Sequence, residues 1–437
     1  MEIARDKYYE VYRRFRWTNW IPLGLMYGSY YMGRYNIYIA NKDICEEFGW
    51  NKSQIGIVFM VWYWAYAFGQ LVNGIITDKI GGRKAIMIGA LATIILNLLF
   101  GATPWGGVLA YFIMIWCING YFQAFGAPSI VKVNANWFSL TERGTFTGIF
   151  GFMIQLGRFG INFIGPIVMA TYGWRYAFFV PPMITFSILV LTFFTVKDNP
   201  EDCGFKNFVK YGEGGDEEPD EKPPELGYIF KKVFTSKILW IISGAYFCTG
   251  VVRHGLDAWF PRYMQEVQNI ELNTKLFLIG MVILPLSAVL GSVLAGWCSD
   301  HLFHGRRGPI AAIMYFSQFV LLIIFLKFPS PVLAMGLYIV LQVFVNGPHS
   351  LLGGAASMDF GGRKAAGAAS GLIDAWQYIG AGTLGAGFFT GWLIESYGWD
   401  AWIYTLLIGA ILGGILMVSI WNVLPSGEKH NGKNQEA

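Results

Sequence analysis

Charge is what this chain has least of. Only 14% of its 437 residues are Asp, Glu, Lys or Arg, against about 25% in soluble chains, which excludes an aqueous surface over most of its length. Cysteine is sparse as well: Cys45, Cys117, Cys203, Cys248 and Cys298 stand apart with no paired spacing, so neither a disulfide framework nor a metal knuckle is expected. There is no phosphate-cradling Gly-Lys-Ser/Thr loop, no His-Glu-x-x-His and no Gly-x-Ser-x-Gly. Nucleotide-driven transport and common hydrolase chemistry therefore lack support; no cofactor or metal is expected, and the chain does not read as an enzyme. The leader 1–16 has no apolar core before Trp17, so a cleavable signal peptide is not expected. The net charge of +4 is accounted for by basic loops meeting an anionic leaflet, and nucleic-acid binding is not inferred.

Apolar residues make up 54% of the chain and aromatic residues 17%. Twelve apolar stretches, each long enough to cross a hydrocarbon core of about 30 Å, fall at 17–40, 54–77, 85–104, 108–131, 144–170, 174–196, 238–262, 275–299, 309–328, 332–352, 365–394 and 400–424. The expected fold is all-α and integral to the membrane: twelve transmembrane helices in two pseudo-symmetric six-helix halves. The halves are 17–196 and 237–424, joined by the polar linker 197–236, with tails at 1–16 and 425–437. Glycine, at 54 residues, is common inside the spans, where it lets helix backbones approach closely in lipid. Most of the 32 basic residues fall on one side if both termini are cytoplasmic, the orientation the positive-inside bias predicts. The plasma, or inner, membrane is the expected location, with lipid as the surrounding partner and a monomer as the expected state.

The halves repeat. Gly74-xxx-Asp78-Lys79-x-Gly81-Gly82-Arg83 after the second span matches Gly296-xxx-Asp300-xxxx-Gly305-Arg306-Arg307 after the eighth. Tyr172-Gly-Trp174 matches Tyr397-Gly-Trp399, Tyr27 and Arg34 match Tyr246 and Arg253, and Asn119-Gly120 matches Asn346-Gly347. All lie roughly 220 residues apart in the same order, the signature of an internal duplication. Duplicated six-span halves are transport machinery, with a central cavity exposed alternately to each side. In the short basic loops, Asp78 and Asp300 are expected at helix N-termini, with Arg83 or Arg306 pairing with carboxylates of a neighbouring helix. Such contacts would form a cytoplasmic gate.

A cationic side chain within a span costs at least about 2.5 to 3.5 kcal/mol on insertion scales, so it normally faces a cavity or a partner. Arg34 shares a helical face with Tyr27, Tyr31 and Tyr38, and Tyr35 adjoins it; Arg253 shares one with Tyr246, Gly250 and Asp257. Two guanidiniums at equivalent heights would suit one small anionic substrate. Two other readings stand beside this: each arginine snorkels to the interface, or Asp257 neutralises Arg253 one turn away. Arg158 with Gln155 and Asn162 in the fifth span, and Asp374 with Gln377 and Tyr378 in the eleventh, either line the cavity or form an Arg158–Asp374 ion pair. His254 and His349 read as packing residues more readily than as proton carriers, although His254 lies beside the cavity candidates.

Asn119-Gly-Tyr-Phe-Gln123-x-x-Gly126-x-Pro128, Trp137-Phe-x-x-x-Glu142-Arg143-Gly144, Asp198-Asn-Pro-Glu-Asp-Cys203-Gly204, Lys364-Ala-Ala-Gly367 and Arg253-His-Gly-Leu-Asp257-Ala-Trp259-Phe-Pro261 are more specific. With these motifs the chain resembles the major facilitator superfamily and, within it, the organophosphate:phosphate antiporter family of glycerol-phosphate and hexose-phosphate carriers. The resemblance implies that Arg34 and Arg253 hold the phosphate group. It also shows departures: Tyr35 and Gln70 stand where that family commonly has lysines, and Ile154 where some members have a histidine. The expected function is exchange of a small organic phosphate, glycerol 3-phosphate or a hexose phosphate, for inorganic phosphate by alternating access. The alternatives are a proton-coupled sugar-acid symporter using Asp374 or Asp257, and a transporter-like sugar-phosphate sensor.

Overall fold

A computed structural model describes residues 2–103, 108–138, 140–205, 233–328, 330–356, 359–360 and 366–424. Most of the linker, the tail 425–437 and the Arg363-Lys364 pair lie outside the described residues. Among the described residues all regular structure is helical. The helices are α1 (Glu2–Ile39), α2 (Asn41–Phe48), α3 (Lys52–Ile80), α4 (Gly82–Gly101), α5 (Leu109–Gln123), α6 (Gly126–Trp137), α7 (Leu140–Tyr172) and α8 (Tyr176–Thr195). They continue as α9 (Lys237–Glu266), α10 (Lys275–His301), α11 (Arg307–Lys327), α12 (Pro331–Ser350), α13 (Ala366–Gly380), α14 (Phe388–Tyr397) and α15 (Trp399–Ser419). Each of the twelve expected spans is met by helix.

Nine helical segments among the described residues are long and apolar enough to cross a membrane by length and composition alone. The spans that fall short of that mark are α1, α9 and the α13–α14 segment, which carry Arg34, Arg253 and Asp374. Two spans are broken where the sequence reading expected continuous helices. The fourth is split into α5 and α6 because Pro128, in the first turn of α6, has no N–H to continue the ladder. The eleventh passes through a π-helical turn, Ala381–Gly385, in a stretch with glycines at 380, 382, 385 and 387. One further short helix, α2, stands between the first two spans; Gly49, at φ 66°, ends it by donating to the Cys45 carbonyl.

Polarity is turned inside out relative to a soluble protein. Arg34, Asn36, Asn97, Asn119 and Gln123 are buried, whereas Phe68, Ile75, Phe194 and Val293 are exposed, as a lipid solvent requires. The chain divides into two compact units. Unit 1 comprises Met1–Ile37, Phe68–Pro104 and Ile118–Lys222; unit 2 comprises Tyr38–Ala67, Trp105–Cys117 and Pro223–Ala437. The division does not coincide with the sequence halves, since two first-half segments belong to unit 2. In unit 1, α4 packs on α6 and α8, and α7 on α8; in unit 2, α9 packs on α13 and α15, α10 on α12, and α11 on α15.

Two very close helix crossings, one in each unit, are related by the repeat. In unit 1 a Cβ on Gly157 of α7 would overlap the Gly28 carbonyl of α1; in unit 2 a Cβ on Gly380 of α13 would overlap the Phe247 carbonyl of α9. Arg34 and Arg253 each lie six residues beyond the crossed carbonyl, so the crossing fixes the height and rotation of each arginine. The loop glycines repeat as well: Gly81 and Gly305 have φ 89° and 78°, and Gly173 and Gly398 have φ 92° and 83°. These backbone conformations suit glycine.

Gly157→Val and Gly380→Val are each expected to destabilise the protein by about 3 kcal/mol or more, because neither backbone can retreat without breaking its helix. Thermal melting in detergent checks this. Gly151→Ala, where a Cβ meets nothing within 4 Å, should leave the transition unchanged.

Candidate functional site

In unit 1 the site is built around a backbone carbonyl. Gly33 O accepts from the side-chain amides of Asn97 (3.2 Å), Gln123 (3.2 Å) and Asn119 (3.4 Å), an approach that the missing side chain of Gly33 permits. Gln123 then turns its Oε1 to the next residue and accepts from Arg34 Nε at 3.0 Å. One glutamine thus ties the backbone of α1 and the plane of the guanidinium to α5. Arg34 is 3% exposed and its Cζ lies 4.4 Å from the centroid of the Tyr31 ring, so it does not snorkel to an interface.

Tyr27 lies edge-on to Tyr31, with centroids 5.5 Å apart, and packs over Gly126, where a Cβ would clash with its ring. Tyr35 stacks on Tyr31 and carries Arg158 on its ring, with Cζ 5.0 Å from the centroid. Gln155 Oε1 accepts from Arg158 Nη1 at 3.3 Å. Asn162, one turn on, is buried.

Unit 2 repeats the theme with different chemistry. Arg253 is 4% exposed and Asp374 lies in its field, accepting a hydrogen bond from Tyr246. Arg253 is therefore a cation beside Asp374 within this unit: α9 and α13 are locked at the Gly380 crossing, so their polar faces meet. The Tyr246 hydroxyl also lies 2.6 Å from His349 Nδ1, and Gln377 Nε2 lies 3.1 Å from the same nitrogen. His349, which reads from the sequence as a hydrogen-bonded packing residue, is hydrogen-bonded here to Tyr246 and Gln377.

Asp257 turns toward α12, where it accepts from Tyr338 at 3.1 Å and from Gln342 at 3.2 Å. His254 lies against the rings of Tyr63 and Tyr378. Among the described residues no group of three His, Cys, Asp or Glu side chains could hold a metal ion.

The basic loops hold ion pairs, but with different partners from those expected. Asp78 pairs with Lys132 at 3.0 Å. The carboxylate at the N-terminus of α4 is Asp198, whose Oδ1 accepts from the Arg83 backbone N–H at 2.7 Å, satisfying an end-of-helix donor where the helix dipole favours an anion. Arg83 itself donates to the Phe193 carbonyl at 2.5 Å and lies over the Phe193 ring, meeting no carboxylate in these contacts. After the eighth span the pairing residue is Arg307, not Arg306: it donates to Asp300 at 2.7 Å and to Asp359 at 2.9 Å. The positive-φ glycines explain the shift, because Arg83 and Arg307 each stand two residues beyond Gly81 and Gly305.

A second ionic cluster, missed in the sequence, lies within unit 2. Arg262 Nε donates to Glu266 at 2.5 Å and its Nη1 to Asn41 at 2.9 Å. Lys52 pairs with Glu266 at 3.0 Å and with Glu395 at 4.0 Å, and Trp399 Nε1 donates to Glu266 at 3.2 Å. The i,i+4 spacing of Arg262 and Glu266 was legible, but the 221 residues between Arg262 and Asn41 hid the rest. Nearby on α2, burial pushes the Asp43 carboxyl up to about 6; Glu46 adds to this, Lys42 opposes it and Glu271 adds again.

Two outcomes follow for the loops and α2. In a thermal-melting double-mutant cycle, Arg307→Ala with Asp359→Ala should show a coupling of about 1.5 to 3 kcal/mol. Arg307→Ala with Asp300→Ala should show under about 1 kcal/mol, since Asp300 is 58% exposed, and Arg306→Ala should change little. Because the folded-state value of Asp43 is raised, its contribution to stability is present at low pH and is lost as pH climbs from 3.8 to about 6. Melting of Asp43→Asn relative to the parent should therefore rise from about pH 4 to about pH 7 and then level off.

The Major Facilitator Superfamily model matches residues 23–385. The chain is 28% identical over 425 residues to the glycerol-3-phosphate transporter of Bacillus subtilis (strain 168), covering 94% of this chain and 93% of that one. It is 27% identical over 431 residues to the membrane sensor protein UhpC of Salmonella typhimurium (strain LT2), covering 96% and 94%. These relatives agree with the resemblance drawn from the sequence motifs. Among solved structures, a bacterial homologue of the human lysosomal transporter Spinster, inward-facing and unoccupied, matches with a TM-score of 0.73 at 13% identity, over 93% of this chain and 95% of that one. At that identity the likeness is one of fold. The chain is a multi-pass membrane protein that belongs to the Major Facilitator Superfamily.

Proposed function

We propose that the protein is a secondary active transporter that exchanges a small organic phosphate, glycerol 3-phosphate or a hexose phosphate, for inorganic phosphate by alternating access. The observation that carries this reading is the pair of buried arginines at repeat-related positions, Arg34 and Arg253, each fixed by a close helix crossing. Arginine stays protonated at any working pH and presents a planar fork to phosphate oxygens. Tyr31 lies against the Arg34 fork, Tyr27 and Tyr35 pack on Tyr31, and Tyr246 is the repeat counterpart of Tyr27. Obligate exchange follows from the charges: two buried cations disfavour closure of an empty carrier, and an anion neutralises them.

Asp78, Arg83, Asp198 and the Arg307–Asp300–Asp359 cluster act in this reading as the gate on the side of the basic loops. That side is cytoplasmic, the protein lies in the plasma (inner) membrane with both termini inside, and it works as a monomer. The sequence halves 17–196 and 237–424 are the duplicated segments in this reading. A second reading is favoured by Asp374, which sits beside Arg253 and reaches His349 through Tyr246: a proton-coupled organic-acid symporter would use such a carboxylate. The sensor reading has support in the similarity to the membrane sensor protein UhpC.

Uptake of labelled phosphate into proteoliposomes preloaded with glycerol 3-phosphate, glucose 6-phosphate, gluconate or nothing tests the proposal. Uptake is expected only against an organic phosphate, with a loss of about tenfold or more in Arg34→Lys and Arg253→Lys, which keep the charge but lose the fork. Equal uptake into empty vesicles would overturn exchange. Gluconate accumulation driven by an imposed proton gradient would establish the symporter instead.

A further inference from the structure

The exchange reading leaves His349 of unit 2 without a task. It stands in the last turn of α12, where its ring lies parallel to that of Tyr246, with centroids 5.6 Å apart and planes 2° apart. The Tyr246 hydroxyl donates to the Asp374 carboxylate, and it also lies 2.6 Å from His349 Nδ1 and 3.2 Å from the His349 carbonyl. A phenol has one proton to give. The π-helical turn Leu351–Ala356 packs behind it, since a Cβ on Gly353 would overlap the hydroxyl. Tyr246, Arg253 and Gln377 are buried, whereas His349 and Asp374 are only partly so and keep a face that protons can reach.

Gln377 fixes the resting form of the ring. Its Nε2 lies 3.1 Å from the same Nδ1, and an amide N–H only donates, so this contact calls for an unprotonated Nδ1. A proton added to His349 puts a hydrogen on that nitrogen and reverses its role. Either Gln377 turns its oxygen to it or Tyr246 accepts from it; in both cases the Tyr246 proton leaves Nδ1. The Asp374 carboxylate, a charged acceptor, then takes that proton's hydrogen bond in preference to the His349 carbonyl. Asp374 is the carboxylate in the field of Arg253. Held by a phenol with an imidazolium behind it, it competes less for the guanidinium, and the added positive charge draws an anion toward Arg253. Both effects have one sign. Among the described residues of unit 2, α9 and α13 supply the charges nearest His349, Arg253 and Asp374, with the neutral phenol of Tyr378. Asp257 is bound to Tyr338 and Gln342, three and two turns away along α12, and His254 lies against Tyr63 and Tyr378. The helices α10 and α11, which also pack on α12, carry charged side chains only in their terminal turns, and the π-helical turn carries none; Tyr315 of α11 donates to the Ala245 carbonyl.

We infer that His349 is a proton-binding positioning residue: through Tyr246 and Asp374, its protonation tightens the hold of Arg253 on phosphate. This rests on the exchange reading and adds a proton dependence to its second arginine. His349 acts without touching the substrate. A histidine ordinarily titrates at about 6.5, so the switch works within the range that a cell meets. Linkage makes the coupling mutual: bound phosphate holds the proton on His349, and at equal phosphate the more acidic side of the membrane loads more carrier.

The test is the half-saturating phosphate concentration for exchange in proteoliposomes at about pH 5.5 and about pH 8.5, on either side of the ordinary histidine value. The value for His349→Gln is divided by the parent's at the same pH, which cancels the ionisation of phosphate itself. That quotient is expected to be about tenfold larger at the acid pH. Tyr246→Phe, which keeps the histidine but cuts its link to Asp374, should show the same rise. An equal quotient at both pH values for His349→Gln overturns the inference, and so does a Tyr246→Phe protein whose pH response matches the parent's; exchange stands in both cases. If no phosphate exchanges at either pH, the exchange reading fails, and thermal melting decides the proton coupling on its own. A double-mutant cycle of His349→Gln with Asp374→Asn should then show a coupling at the acid pH that is lost at the alkaline pH and lost in a Tyr246→Phe background. A coupling that pH or Tyr246→Phe leaves unchanged overturns it. Should His349→Gln not fold, the Tyr246→Phe quotient carries the same expectation and the same refutation.

Discussion

A guanidinium buried in a membrane protein must be held where something can use its charge, and the helix crossings do the holding. Backbone cannot bend freely in lipid, because every N–H and C=O exposed there needs a partner. The chain therefore positions its arginines by contact between whole helices. Gly157 against Gly28 and Gly380 against Phe247 bring carbonyls and α-carbons into contact, leaving little freedom for α1 and α9 to rotate or slide. With no hydrophobic force between helices in lipid, such close van der Waals approach is also what holds the pairs together. The contact that stabilises each pair is thus the one that aims its arginine.

On this frame the two units present unlike surroundings to like cations. Around Arg34 the neighbours described are amides and rings, with Gln123 and Tyr31 foremost. Around Arg253 a carboxylate, a phenol and a histidine gather through Asp374, Tyr246 and His349. Amide and ring neighbours keep their charge state as pH changes, whereas ionisable neighbours can change the net charge around a cation. The two arginines share a repeat-related geometry, while the residues that α7, α12 and α13 set beside them differ in chemistry.

Length and hydropathy were enough to expect every span, because a stretch of about 20 apolar residues has few other uses. The breaks in the fourth and eleventh spans were less visible, since Pro128 and the glycines at 380–387 are tolerated in membrane helices as well as disruptive to them. Arg34 and Arg253 were legible as buried charges from their cost alone. Their supports were not: Gln123 is 89 residues from Arg34, and nothing local says which amide meets which carbonyl. The neighbouring Arg306 and Arg307 were indistinguishable by type, and the loops differ in length between Asp and Gly. Only the backbone turn at Gly305 shows that Arg307 corresponds to Arg83. Asp198 was noticed as part of a motif, yet its task at the start of α4 depends on a fold that brings it across 115 residues to Arg83 N.

Unit 2 contains 38–67 as well as the whole second half, and Lys52 and Asn41 are bonded to Glu266 and Arg262. The linker is therefore a boundary in the gene product but not in the folded molecule. Two polypeptides cut there and made together would leave 38–67 on the first although it packs with the second, and could reassemble by threading that segment back onto α9 and α14. Made alone, the second half would leave Glu266 and Arg262 facing no first-half partner, so its solubility in detergent would depend on supplying that short segment.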